Sequence, residues 1–124
     1  MKTGEHMLIL VVDDDPMAAE MTAAIVEDSD HETLIAENGI AALEIFSENP
    51  AIELVISDMN MPLLSGVELF NELKEQGSKS PFILLSGDDA ALALSQQPAI
   101  DASLMKDFSL QETLIETINQ LIYP

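Results

Sequence analysis

The chain contains no cysteine, which removes disulfide bonding and thiolate metal ligation from consideration. It contains no arginine and only four lysines against 23 acidic residues, for a formal net charge of -19. Affinity for nucleic acid rests largely on cationic side chains that neutralise phosphates. Direct binding of DNA, RNA or an anionic membrane is therefore not expected. The acidity is read first as a source of solubility, or as suited to a salty cytoplasm. No apolar run approaches the roughly 20 residues of a membrane span. The first apolar run is short and follows Glu5 and His6, which is not a signal-peptide pattern. Repeats, low-complexity tracts and linkers are also missing. These absences leave a single cytoplasmic domain of 124 residues, whose 48% hydrophobic content suits a packed core.

Four apolar runs each close on a polar residue. Ile9-Leu10-Val11-Val12 meets Asp13-Asp14-Asp15, Leu54-Val55-Ile56 meets Ser57-Asp58, Phe82-Ile83-Leu84-Leu85 meets Ser86, and Ala102-Ser103-Leu104-Met105 meets Lys106. Lys2, Lys74 and Lys79 occupy a terminus, a helix end and a Gly-Ser-Lys-Ser loop. Lys106 alone closes an apolar stretch, a costly place for an ammonium unless it meets a carboxylate or phosphate.

Apolar runs alternate with segments of helical period, the pattern of βα units on a parallel sheet. Strands are expected at Met7–Val12, Thr33–Ala36, Leu54–Ser57, Phe82–Ser86 and Ala102–Met105. Asp15 can cap a first helix with Pro16 at its first position, and Met17, Met21 and Ile25 then supply an apolar stripe. Asn38 caps a second helix with Leu43 and Phe46 inward. Ser65 and Glu68 read as a capping box for a third, with Gly77 as its stop. Asp88 caps a short fourth helix, Ala90–Gln96, and Ser109 with Glu112 reads as a capping box for the last. The expected fold is α/β, a (βα)5 doubly wound five-stranded parallel sheet of flavodoxin-like order 2-1-3-4-5. Ligands of such sheets bind outside the carboxyl ends of the strands, so Asp13, Asp14 and Asp58 should meet there.

Clustered carboxylates need a cation to ionise together cheaply, and hard oxygen ligands at a sheet edge suit Mg2+. Asp13–Asp15 can also be read as helix capping with solvated charge, and Asp15 is assigned that role. Asp58 is either an Asx-turn residue opening its loop or a carboxylate nucleophile forming an acyl phosphate. That transfer requires neutralisation of charge on the phosphoryl oxygens, which Mg2+, Ser86 and Lys106 would provide. Taken singly, Ser86 is an ordinary strand-end hydroxyl and Lys106 an ordinary surface lysine. Their joint appearance at successive strand ends is what points to phosphoryl chemistry.

From Leu8 to Ile122 the chain resembles the receiver domain of bacterial two-component response regulators. The resemblance rests on Val12-Asp13-Asp14-Asp15-Pro16, on Asp58-Met59-Asn60-Met61-Pro62 followed by Gly66, on Ser86-Gly87 and on Lys106. It implies a phosphorelay module that is not an enzyme beyond self-catalysed phosphorylation and dephosphorylation of Asp58. Asp58 would be the phosphoacceptor. Asp14 would hold Mg2+ directly, Asp13 through water and Asn60 through its backbone carbonyl. Ser86 and Lys106 would contact the phosphoryl group. Asp88 and Asn60 match positions that flank the attacking water in this family, and Asp88 is equally a helix cap. Implied partners are a histidine kinase or phosphotransfer protein and a downstream protein, with a homodimer through the fourth predicted helix, fifth strand and last helix as one assembly.

Two departures stand out. The family's usual Lys-Pro is Lys106-Asp107 here, so the loop after the fifth strand is expected to run differently. The family's usual Tyr or Phe three residues before the lysine is Ser103. These departures motivate a pseudo-receiver, an interaction module without a phosphate switch, as an alternative. A haloacid-dehalogenase phosphatase is a second alternative, on the Asp-x-Asp pattern within Asp13-Asp14-Asp15. Met17 stands where that family expects Thr or Val.

Overall fold

In the computed structural model, residues 6–87 and 97–122 are described. The expected fourth helix, Ala90–Gln96, and its cap Asp88 lie outside them. Five parallel strands form one sheet in the order β2-β1-β3-β4-β5. They are β1 (Leu8–Val12), β2 (Glu32–Ala36), β3 (Ile52–Asp58), β4 (Phe82–Ser86) and β5 (Ala102–Met105). The described helices are α1 (Pro16–Glu27), α2 (Gly39–Glu48), α3 (Gly66–Glu75) and α4 (Leu110–Ile122). The expected order and strand positions are borne out. β3 is longer than its apolar run, beginning at Ile52 and running through Asp58, which pairs with Leu85 of β4.

The sheet is buried on both faces, which explains why its strands read as continuous apolar runs. One face packs Leu10, Val12, Val55, Phe82 and Leu84 against Ala42 of α2 and Leu69, Phe70 and Leu73 of α3. The other packs Ile9, Val11, Leu54, Ile56, Ile83 and Leu85 against Val26 of α1 and Leu114 and Ile118 of α4. Alternate residues of each strand therefore serve opposite layers. Leu43 and Phe46 pack against the first cluster as expected.

Helix starts follow local chemistry. Asp15 accepts the Met17 N–H at 3.0 Å, and Pro16 opens α1. Asn38 accepts the Ala41 N–H at 2.7 Å at the start of α2. Ser65 and Glu68 form the reciprocal capping box of α3, and Gly77 follows its end at a φ of 90°, a left-handed conformation that glycine adopts without Cβ strain.

Two helix expectations are corrected. Of the stripe Met17, Met21 and Ile25, only Ile25 packs against the core; Met17 is 74% exposed and Met21 67%. Ala19, Thr22, Ala23 and Val26 face inward instead. They also recur at helical spacing, and their small side chains let α1 lie close against the sheet beside α4. At α4, Ser109 does not cap through its hydroxyl. Its Oγ donates to Asp107 Oδ1 at 2.6 Å and its N–H to the same oxygen at 2.9 Å. Asp107 thus opens the helix through an Asx turn.

Candidate functional site

The backbone carries Asp13, Asp58, Ser86 and Lys106 at, or one residue beyond, the end of a paired strand. The Asp13 N–H donates to Ala36 O at 3.1 Å, the Met59 N–H to Leu85 O at 2.8 Å and the Lys106 N–H to Ser86 O at 2.8 Å. The ladder therefore continues just past the ends of β1, β3 and β5. Loops that follow such anchors inherit the rigidity of the sheet. Asp13, Asp58, Ser86 and Lys106, distant in sequence, come to one edge.

Asp13 and Asp58 are buried, at 3% and 8% exposure, while Asp14 is exposed. One carboxylate oxygen from each of the three lies within 4.8 Å of the others. Lys106 Nζ donates to Asp13 Oδ2 and to Asp58 Oδ1, both at 2.9 Å. The other Asp13 oxygen, Oδ1, accepts the Asp15 N–H at 2.9 Å. Asp13 is thus held in place from both sides. The sequence called for a carboxylate or phosphate beside Lys106 but did not single out Asp13 as that partner.

Burial raises the Asp58 carboxyl above its ordinary value, and the charges of Asp13 and Asp14 push in the same direction. The Lys106 hydrogen bond and charge oppose them without cancelling them. Burial alone would lower the Lys106 ammonium, but its hydrogen bonds to Asp13 and Asp58 and their charges leave it raised. The pair therefore combines an unusually basic carboxylate with a lysine held in its charged form.

Ser86 is buried at the end of β4, the strand between those of Asp58 and Lys106. Asn60 is exposed in the loop after Asp58. Gly66 has a steric role: a Cβ there would stand 2.5 Å from Asp58 O and 2.5 Å from Leu84 Cδ1. Its N–H donates to Met59 O at 2.9 Å. Only glycine lets the start of α3 lie this close to the strand end that carries Asp58. Gly39 likewise leaves room for Leu64, whose Cβ would be 2.8 Å from an added Cβ. The Gly39 contact carried no recognisable sequence signal. Asp107-Phe108-Ser109, by contrast, does contain the Asx-turn pattern.

Around Lys106, Ala18, Met21, Thr22, Asp107, Phe108 and Leu110 line a cavity of about 310 Å³. Phe108 is fully exposed beside it. On β5, Ser103 Oγ is buried without a hydrogen-bond partner. The described residues include no cis peptide, so Lys106-Asp107 is trans.

The family model described as "Response regulator receiver domain" matches residues 9–119. The chain belongs to this family. A receiver domain from Clostridium thermocellum is 31% identical, with a TM-score of 0.83 over 94% of both chains. The response regulator TrrA of Thermotoga maritima, solved in complex with Mg2+ and BeF, is 34% identical, with a TM-score of 0.82 over 93% of this chain and 98% of that one. The sensor histidine kinase RcsC of Salmonella typhimurium is 30% identical over 112 residues, 90% of this chain and 12% of RcsC. The receiver domain therefore spans a small part of that relative. Among the described residues no helix is long and apolar enough to cross a membrane. Family membership does not favour the phosphatase or the pseudo-receiver reading.

Proposed function

We propose that this receiver domain, spanning residues 1–124 as one unit, accepts a phosphoryl group on Asp58. The observation that carries the reading is the placement of Lys106 Nζ 2.9 Å from both Asp13 and Asp58, within a carboxylate cluster suited to a hard cation. An Asp58 oxygen attacks the phosphorus of a phosphohistidine on a histidine kinase or phosphotransfer protein. An O–P bond forms and the P–N bond breaks. Its electron pair remains on the imidazole nitrogen, which takes a proton from water. The raised basicity of Asp58 favours attack, and Lys106 lies within reach of the oxygens it would acquire. The buried Ser86 hydroxyl would donate to another of those oxygens.

Asp14, Asp58, the Asn60 carbonyl and, through water, Asp13 would hold Mg2+. When bound, it supplies neutralisation of charge on the transferring phosphoryl group. A protein donor would cover the surface beside Lys106, where Met21 and Phe108 are exposed apolar side chains. Phosphoryl groups of this kind originate from ATP, which fits a cytoplasmic location. The output is a changed protein-binding surface, read by a downstream partner or by a homodimer through the fourth predicted helix, β5 and α4.

The test is incubation with Mg2+ and a small acyl phosphate, followed by intact mass. Wild type should gain one phosphoryl group and Asp58→Asn none. No gain on wild type, or an undiminished gain on Asp58→Asn, would sink the proposal. Ser103, standing where the family usually carries Tyr or Phe, motivates a second reading in which the fold binds partners without switching. In that case partner affinity would be identical with and without phosphate on Asp58.

A further inference from the structure

We propose that Asp107 is a positioning residue, whose turn fixes the chain after Lys106 so that the ammonium stays between Asp13 and Asp58. Its consequence for phosphorylation rests on the phosphoacceptor reading above; its geometry does not. Lys106 is the first residue beyond β5. Its backbone is tied on one side, where its N–H donates to Ser86 O at 2.8 Å. A lysine side chain has four rotatable carbons and would sample many directions if the backbone on its other side were loose.

The other side is closed by Asp107. Its Oδ1 accepts the Ser109 N–H at 2.9 Å and the Ser109 hydroxyl at 2.6 Å. Its carbonyl accepts the Leu110 N–H at 3.0 Å. These three bonds define residues 107–110 and lead directly into α4, which is anchored by Leu114 and Ile118 in the core. Phe108, in the middle of the turn, is fully exposed and adds little packing to hold it. The turn therefore depends on the Asp107 side chain. The Ser109 hydrogen bonds hold the Asp107 carboxyl below the usual carboxylate range, as expected for a carboxylate engaged in accepting them. Where the family's usual proline restricts the backbone with its ring, this chain restricts it with a side-chain acceptor.

The position of Lys106 matters because displacements of about 1 Å at a reacting centre can cost up to roughly 10²-fold in rate. The experiment compares Asp107→Ala, Asp107→Asn and Ser109→Ala with wild type. The first readout is the 15N resonance and proton exchange of the Lys106 ammonium, measured without metal or phosphate. The second is the rate of labelling by acyl phosphate with Mg2+, at a temperature where urea titration shows each variant folded. Asn keeps the accepting oxygen, so Asp107→Asn should retain both properties. Asp107→Ala should release the ammonium to faster exchange and slow labelling by about tenfold. Ser109→Ala, which loses one of the two side-chain bonds, should fall between them.

Wild-type exchange and labelling in Asp107→Ala would overturn the proposal. So would equal losses in Asp107→Asn and Asp107→Ala, which would assign the effect to charge. If Asp107→Ala does not fold, Ser109→Ala decides, and an unchanged ammonium signal there overturns the proposal. A wild type that takes no phosphate would refute the phosphoacceptor reading, while the ammonium readout would still decide this one.

Discussion

Replacing Lys106 with methionine should destabilise the domain in a way that depends on pH. The substitution keeps an unbranched apolar stem and removes the cation that bridges Asp13 and Asp58. Both carboxylates are almost fully buried. Two unit charges near the 4.8 Å upper limit of their separation repel by about 3 kcal/mol at an effective dielectric constant near 20. Breaking a fully buried pair costs about 3–5 kcal/mol. Lys106 is 24% exposed and Asp14 opens the cluster to solvent, so the expected loss at pH 7 is lower, about 2 kcal/mol. For a domain of this size that corresponds to a fall in Tm of roughly 6–10 °C.

The loss should fade at both ends of the pH range. A carboxyl raised in the folded state stabilises at low pH, and that contribution is lost as pH rises from the ordinary 3.8 through the folded value. Removing Lys106 removes the two influences that hold Asp58 down, so the variant loses more stability over this rise. In alkali, wild type loses what Lys106 supplies. The raised ammonium stabilises fully below its ordinary 10.5, and that contribution disappears as pH climbs through the folded value. Urea titrations of both proteins from pH 4 to pH 11, without divalent metal, give the difference directly and cancel the shared effect of net charge. A difference that is absent at pH 7, or constant across the range, would refute this account of the site.

Gly66→Ala should cost about 2 kcal/mol by overpacking, because its Cβ would press on Asp58 O and Leu84 Cδ1. Acyl-phosphate labelling should fall along with the urea midpoint, whereas a stable, fully labelled variant would contradict the close approach. Mg2+ should raise the unfolding temperature of wild type, by the equivalent of about 1.4 kcal/mol at roughly ten times its Kd. Asp58→Asn should show a smaller rise, and equal rises would place the ion elsewhere. In α1, Met21→Ser should change stability by less than about 0.5 kcal/mol, since Met21 is exposed. Val26→Ala should cost about 1–2.5 kcal/mol, and calorimetry giving the reverse order would invalidate the orientation of the helix.

By itself the sequence determined the sheet, its order and the residues gathered at its edge. Continuous apolar runs such as Phe82–Leu85 mark buried parallel strands, and a polar residue at each run's end marks where the chain leaves the sheet. Caps at Asp15, Asn38 and Ser65 were legible because each needs only its own neighbours. Tertiary structure decided what depended on contacts between distant segments. Helix α1 carries two apolar stripes, and only packing against the sheet and α4 selected Ala19, Ala23 and Val26 over Met17 and Met21. At the start of α4, Ser109 had two available partners, and the turn chose Asp107. The ion pair between Lys106 and Asp13 joins residues 93 positions apart, and no local pattern encodes it. Placing β1 beside β3, and β4 between β3 and β5, brings those side chains to one edge.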